Sequence, residues 1–167
     1  DGADRYGAGP FVVHLRCVDA REPRRAVYDG DLVLGGEQPL MATVQSLYVN
    51  SICRVTETNT GGATTVTVSP EGTFAVTAAS QAEPVQVSVT NRFDVGGLRV
   101  IKKIDDPDGL VGDDQLFWFQ LRCVRSVDGT PQPVELEDDG RFNLSIDGGL
   151  SQTWDDLPTG AVCTVTE

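Results

Sequence analysis

The chain has 167 residues, four cysteines and a net charge of −12, and this length suits one large or two small domains. The negative charge argues against nucleic acid as a partner, because phosphate groups are repelled, and also against anionic membrane surfaces. No apolar run reaches the roughly 18 residues that a membrane-spanning helix needs, so no membrane contact is expected of this segment. The chain starts with Asp1 and shows no signal peptide, which leads us to expect a mature segment or an excised fragment.

Apolar residues recur with a period of two much more often than with the period of a helix, and valine, threonine and glycine are abundant. This pattern predicts an all-β fold. The segment 1–10 is predicted to be a loop and 92–97 a linker, while the polar segment 19–30 contains the turn signal Tyr-Asp-Gly at 28–30. Ser69–Gly72 predicts a hairpin turn between the strands on either side of it. Strands are predicted at 11–18, 31–34, 40–47, 51–57, 64–69, 73–78, 85–91 and 98–104.

An internal repeat divides the chain. Phe117–Val124 matches Phe11–Val18, and residues 144–167 match 34–57 without a gap. We therefore predict a tandem of two β-domains, at 1–95 and 96–167. The first copy is expected to lack its first strand, equivalent to 98–104, and the second to lack its last strands, equivalent to 58–91.

Four cysteines allow three pairings. Pairing within each copy, Cys17 with Cys53 and Cys123 with Cys163, gives both copies the same cross-link and is favoured over buried free thiols. A zinc site is not expected, because His14 is the single histidine and the cysteines are not closely spaced. Disulfides imply an oxidising compartment outside the cytosol.

Four polar residues share a strand face with apolar ones, which is the face that a strand normally buries. Glu57 and Glu167 each lie in phase with a cysteine and a valine, and Asn91 lies in phase with three valines. Lys102 lies in phase with Leu98 and other apolar residues, whereas its neighbour Lys103 points the other way.

Three segments carry a family resemblance: Leu98–Lys102, Leu157–Glu167 and Val87–Asn91. Together they resemble a repeat domain of unknown function from actinobacterial cell-surface proteins. More distantly they are similar to the B-type (Cna-B) repeats of collagen adhesins and pilins. The resemblance covers nearly the whole chain and implies Ig-like or prealbumin-like β-sandwiches.

In the adhesin repeats, a lysine on the first strand condenses with an asparagine on the last, and a buried acid assists by moving protons. By position, the resemblance implies Lys102 as the lysine, Asn91 as the asparagine, and Glu57 and Glu167 as the acids. The first copy lacks the lysine and the second lacks the asparagine, so no isopeptide bond is expected within this chain. The alternative is that Lys102 and Glu167 form an ion pair and that Glu57 and Asn91 are ordinary hydrogen-bonded residues.

Other candidate sites are weaker. Asp105, Asp106 and Asp108 offer hard oxygens to calcium, but their spacing is not that of an EF-hand, and a solvated acidic turn is favoured. Trp118 is predicted to face outward, and so is Trp154. We find no nucleophile–base pair, phosphate-binding loop or cofactor fingerprint, so we expect neither an enzyme nor a cofactor.

These features lead us to expect a stalk or spacer segment of a secreted or cell-wall-attached bacterial surface protein, outside the cell. Its partners would be other repeats of the same protein. The alternative is an adhesin-type module that binds a host protein or a glycan.

Overall fold

The computed structural model describes residues 6, 7 and 9–167, so the loop predicted at 1–10 lies mostly outside the described residues. Strands make up 52% of the chain, and the all-β prediction is confirmed. The chain divides into two compact units, between Phe93 and Asp94. In the described residues, no helix is long and apolar enough to cross a membrane.

The first unit contains two sheets. The larger sheet has the strand order β2–β1–β3–β5, and the smaller one pairs β4 with β6. All the strand pairs are antiparallel. The strands are β1 (Phe11–Asp19), β2 (Glu22–Leu34), β3 (Ser51–Asn59), β4 (Thr65–Ser69), β5 (Thr73–Val76) and β6 (Ser88–Arg92).

The core of the first unit forms on one face of β1 and β3. Alternation along β1 buries Leu15 and Cys17, and Cys53 on β3 meets them. Side chains from β5 and from the segment 41–48 cover this cluster. The covering residues are Val44, Leu47, Phe74 and Val76.

The second unit repeats this plan. One sheet has the order β10–β8–β12, with β9 also paired to β8, and the other pairs β7 with β11. The strands are β7 (Val95–Ile101), β8 (Phe117–Val127), β9 (Thr130–Pro133), β10 (Arg141–Leu144), β11 (Ser151–Pro158) and β12 (Val162–Thr166).

Aromatic contacts join the two sheets of the second unit. Phe142 on β10 stacks on Phe119, with 5.2 Å between ring centroids, and Trp154 on β11 meets Phe142 edge-on at 4.9 Å. Trp154 therefore faces the opposite sheet, and the prediction that it faces outward was wrong. Trp118 does face outward, with 61% of its surface exposed.

The polar segment 19–30 is mostly strand, because β2 runs without interruption from Glu22 to Leu34. Its polar residues suit the outer face of the β1–β2 pair. There His14 lies 3.0 Å from Asp29 and 2.7 Å from Asp31, and Arg16 lies 3.0 Å from Asp29. The turn predicted at 28–30 is therefore wrong.

Two predicted pairings differ from the structure. β4 and β5 do not form a hairpin, since β4 pairs with β6 while β5 pairs with β3 in the other sheet. The turn Ser69–Gly72 changes sheets instead, and this places Phe74 on the core around Cys53. The strand predicted at 40–47 is not assigned as a strand. Its repeat counterpart, β11, pairs with β7, and no described strand of the first unit pairs with 41–48.

The strand predicted at 98–104 is shifted toward the N-terminus. β7 spans Val95–Ile101, so Gly96 and Gly97 belong to a strand and not to a linker. The reason is the pairing with β11, whose Leu157 and Pro158 extend the ladder back to Gly96 and Val95. Lys102 follows the strand, and its backbone amide still donates to the carbonyl of Leu150 at 2.8 Å.

Candidate functional site

Each unit carries one disulfide between neighbouring strands. Cys17 on β1 is bonded to Cys53 on β3, and Cys123 on β8 is bonded to Cys163 on β12. In both units the two cysteines lie directly opposite each other in the ladder. These are the bridges that the repeat predicts, and they indicate an oxidising environment.

A polar bridge links the two sheets of the first unit. Asn91 on β6 donates a hydrogen bond from its Nδ2 to Oε1 of Glu57 on β3, at 2.8 Å. Both side chains are half-buried. The Oδ1 atom of Asn91 is buried and accepts no hydrogen bond from the described residues.

An ion pair occupies the corresponding place in the second unit. The Nζ of Lys102 lies 2.7 and 2.8 Å from the two carboxylate oxygens of Glu167. The lysine side chain is 20% exposed and the glutamate 48%. The ammonium also lies 4.7 Å from the ring centroid of Phe117, within range of a cation–π contact. The amine of Lys102 therefore contacts both a carboxylate and an aromatic ring.

The two glutamates occupy equivalent positions in the repeat but have different hydrogen-bond partners. Glu57 accepts from an amide, whereas Glu167 accepts from an ammonium. Within the described residues, neither cluster contains a lysine, an asparagine and a glutamate together. The observed chemistry is that of a hydrogen bond and an ion pair, and the isopeptide roles of the four residues stay predictions.

The acidic loop after β7 is organised by Asp106. One carboxylate oxygen accepts from the amide of Val111 at 2.7 Å, and the other accepts from Leu110 at 2.9 Å. The hydrogen bond from Val111 is the main cause that holds the pKa of Asp106 below its usual value, and the one from Leu110 adds to it. No group of three or more metal-ligating side chains converges in the described part of the chain. Backbone amides of the loop itself, and no described metal-binding cluster, therefore surround the Asp106 carboxylate.

Comparison with known proteins identifies the family. A model described as "Domain of unknown function (DUF5979)" matches the chain twice, over residues 1–94 and 98–167. The chain belongs to this family. No curated protein and no solved structure matches it. The two matches correspond closely to the two compact units, which are divided in the sequence between Phe93 and Asp94.

The two DUF5979 copies show what sequence analysis found and what it missed. Alternation correctly placed Glu57, Asn91 and Lys102 at half-buried positions, but the prediction that Glu167 faces inward was wrong, because Glu167 is exposed. It missed Phe117 as the partner of Lys102. The signal was available, because Phe117 is in phase with the buried Phe119 and Cys123 on β8.

The second DUF5979 copy also presents an outward face on β8 and β12. Trp118 and Val124 on β8 are 61% and 44% exposed, and Val162, which pairs with Val124, is 74% exposed. Arg122 lies between Trp118 and Val124 on the same face and is also exposed. This face combines aromatic, aliphatic and guanidinium groups.

Proposed function

We propose that this chain is a non-enzymatic spacer segment of a secreted or cell-wall-attached bacterial surface protein. The observation that carries the proposal is the repeated clamp. Two consecutive units of one family join the same two strands with the same disulfide. A disulfide that is present at the same place in both copies suits a mechanical role better than a chemical role at one site.

The clamp has a direct mechanical consequence. Cys17 and Cys53 are separated by 36 residues in sequence, and Cys123 and Cys163 by 40. Under tension, the residues between bonded cysteines cannot extend, because the force passes through the disulfide. Opening of the sheets therefore lengthens each unit less, because 36 residues in the first unit and 40 in the second are held back by the disulfide.

The proposed location follows from the same bonds and from the family resemblance. Disulfides persist outside the cytosol. The resemblance to repeat domains of actinobacterial surface proteins, and more distantly to Cna-B repeats, supports a place on the cell surface. Neighbouring repeats of the same protein are then the natural partners, and the net charge of −12 suits a solvated segment.

Single-molecule stretching of the whole chain tests the proposal. We expect the oxidised chain to unfold with a contour length shorter than the reduced chain. The 36-residue loop should remove roughly 120–130 Å, and the 40-residue loop roughly 130–145 Å. Equal lengths with and without reductant would contradict the spacer proposal.

A second candidate function, an adhesin-type module for a host protein or a glycan, is favoured by the outward face around Trp118. Aromatic and arginine side chains are enriched at binding hot spots. The test is binding of the chain to arrays of glycans and extracellular matrix proteins. Trp118→Ala should abolish a genuine interaction, while Leu110→Ala, at an 84% exposed position elsewhere in the same unit, should leave it unchanged.

A further inference from the structure

One sheet of the second unit has no acidic residue in its strands. The strands β8, β9, β10 and β12 contain neither aspartate nor glutamate, although 25 of the 167 residues of the chain are acidic. The same strands carry three arginines, Arg122, Arg125 and Arg141. This sheet therefore carries positive charge in a chain whose net charge is −12.

Two of these arginines share the outer face of the sheet with Trp118. Trp118, Gln120 and Arg122 alternate along β8 with buried residues, so they lie on the face opposite the core. Arg141 on β10 is the partner of Gln120 in the ladder, and it is therefore a diagonal neighbour of both Trp118 and Arg122. Diagonal neighbours have Cα atoms about 7–8 Å apart, within reach of long side chains. Trp118 and both arginines are exposed.

The equivalent face of the first unit neutralises its arginine. The internal repeat matches Arg122 with Arg16, and Trp118 with Val12. The Nη1 atom of Arg16 lies 3.0 Å from a carboxylate oxygen of Asp29 on β2. Arg122 forms no ion pair with any residue that the structure describes. The same position is thus charge-compensated in the first unit and not in the second.

The neighbouring strand differs in the same direction. The ladder of the first unit pairs His14 with Asp31, and their side chains approach to 2.7 Å. At the equivalent place in the second unit, the ladder pairs Gln120 with Arg141. The turn Glu137–Gly140, just before β10, contains three acids, but among the described residues none of them forms an ion pair with Arg141. Two guanidinium groups without an acidic partner favour an anionic ligand on this face.

The backbone under this face is occupied, which limits the kind of ligand. β8 pairs with β10, β9 and β12, whereas a peptide that adds a strand needs the unpaired groups of a sheet edge. A ligand on the outer face is therefore held by side chains, namely an indole and two guanidinium groups. A guanidinium binds a carboxylate through two parallel hydrogen bonds, and the electron-rich face of an indole packs against the C–H face of a sugar ring. An acidic sugar satisfies both groups.

We propose that the outer face around Trp118, Arg122 and Arg141 binds a glycan whose sugars carry carboxylate groups. A carboxylate lies between the two guanidinium groups, and a sugar ring lies on the indole. The inference rests on the second candidate function, a binding module for a host protein or a glycan, and names the class of ligand for the same face. Repulsion by the rest of the acidic chain is screened beyond about 8 Å at physiological salt, so contacts at this face decide the affinity.

Titration of the whole oxidised chain with uronic-acid oligosaccharides tests the proposal. Hexasaccharides of galacturonate, mannuronate and hyaluronan are added at about 0.15 M salt, and the indole N–H signals of the two tryptophans are followed by NMR. At least one oligosaccharide should shift the signal of Trp118, whereas that of Trp154, which faces the opposite sheet, should stay in place. The methyl ester of the galacturonate hexasaccharide is the matched control. It has the same sugar rings without the charge and should bind about tenfold more weakly or worse.

Three variants locate the site on this face. Arg122→Gln and Arg141→Gln each remove one guanidinium at an exposed position and should weaken binding about tenfold. Trp118→Ala should weaken it by a similar factor or more. Arg16→Gln is the control in the first unit, where Asp29 occupies the guanidinium, and it should leave the affinity unchanged. An equal loss with Arg16→Gln would show that only the net charge matters and would refute the site.

The outcomes separate failure of this inference from failure of the candidate function. Binding of the methyl ester as tightly as the acid would keep a glycan-binding module but refute the need for a carboxylate. Poly-glutamate that binds the same face as tightly would replace the glycan by an acidic protein. If none of the three oligosaccharides moves the Trp118 signal, the inference is overturned, and the candidate function survives only if a matrix protein or a neutral glycan still binds through Trp118.

Discussion

Lys102 and Lys103 are adjacent in sequence, but their environments are opposite. Lys102 is held between the Glu167 carboxylate and the Phe117 ring, whereas Lys103 is exposed. Because Glu167 is itself about half-exposed, solvent weakens the ion pair, and the stabilisation is modest.

We predict that Lys102→Met lowers the free energy of unfolding of the second unit by about 0.5–1.5 kcal/mol. Lys103→Met, the matched control, should change it by less than about 0.5 kcal/mol. Denaturant unfolding followed by Trp154 fluorescence measures both. Equal effects of the two substitutions would show that the ion pair does not contribute to stability.

Gly140 is a second residue whose role depends on tertiary contacts. It has a φ of +76°, and a Cβ atom added there would overlap the backbone carbonyl oxygen of Leu121 on β8. Gly129 has a similar φ of +81°, but nothing lies near the position of its missing side chain. Comparison of alanine substitutions at Gly140 and Gly129 therefore separates the energetic cost of the left-handed backbone from the cost of the steric overlap.

Gly140→Ala should destabilise the second unit by about 3 kcal/mol or more, because the backbone of β8 must move. Gly129→Ala should cost about 1 kcal/mol, the usual penalty for a left-handed alanine. Thermal unfolding of the two variants is the measurement. Equal losses would mean that the contact with Leu121 relaxes freely.

At the scale of elements, the disulfides join strands that are already neighbours in the ladder. They contribute by restricting the unfolded chain, and loops of 36 and 40 residues are long enough for a large effect. The two bridges differ in burial, since Cys163 is half-buried while Cys53 is fully buried.

Replacing both cysteines of one pair by alanine should lower the stability of that unit alone by about 3–4 kcal/mol. Cys17→Ala with Cys53→Ala and Cys123→Ala with Cys163→Ala form the matched pair of variants. Differential scanning calorimetry reports which transition moves. A variant that shifts both transitions equally would contradict independent clamping of the two units.

At the scale of the whole molecule, the amine of Lys102 and the amide of Asn91 belong to different clusters. Lys102 is paired with Glu167, and Asn91 is paired with Glu57. We therefore predict an intact mass equal to that of the sequence less two hydrogens for each disulfide. A further deficit of one ammonia, mapped by digestion to Lys102 and Asn91, would show that an isopeptide bond forms between them.

The local pattern of the sequence was enough for most of the strands and for the buried face of β1 and β3. Period-two alternation placed Cys17, Cys53 and Leu15 on the core side, and the internal repeat identified the disulfide pairs. Both signals can be read from the order of residues alone, because alternate side chains of an extended strand point to opposite faces whichever strand lies beside it.

Pairing partners were decided only by the tertiary structure. A turn such as Ser69–Gly72 fixes a change of direction but not whether the next strand stays in the same sheet. β5 crosses to β3 because Phe74 packs on the core cluster there. In the same way, segment 41–48 has strand alternation but no β7-type partner among the described residues. A strand exists only when its backbone groups are paired, and that pairing depends on residues distant in sequence.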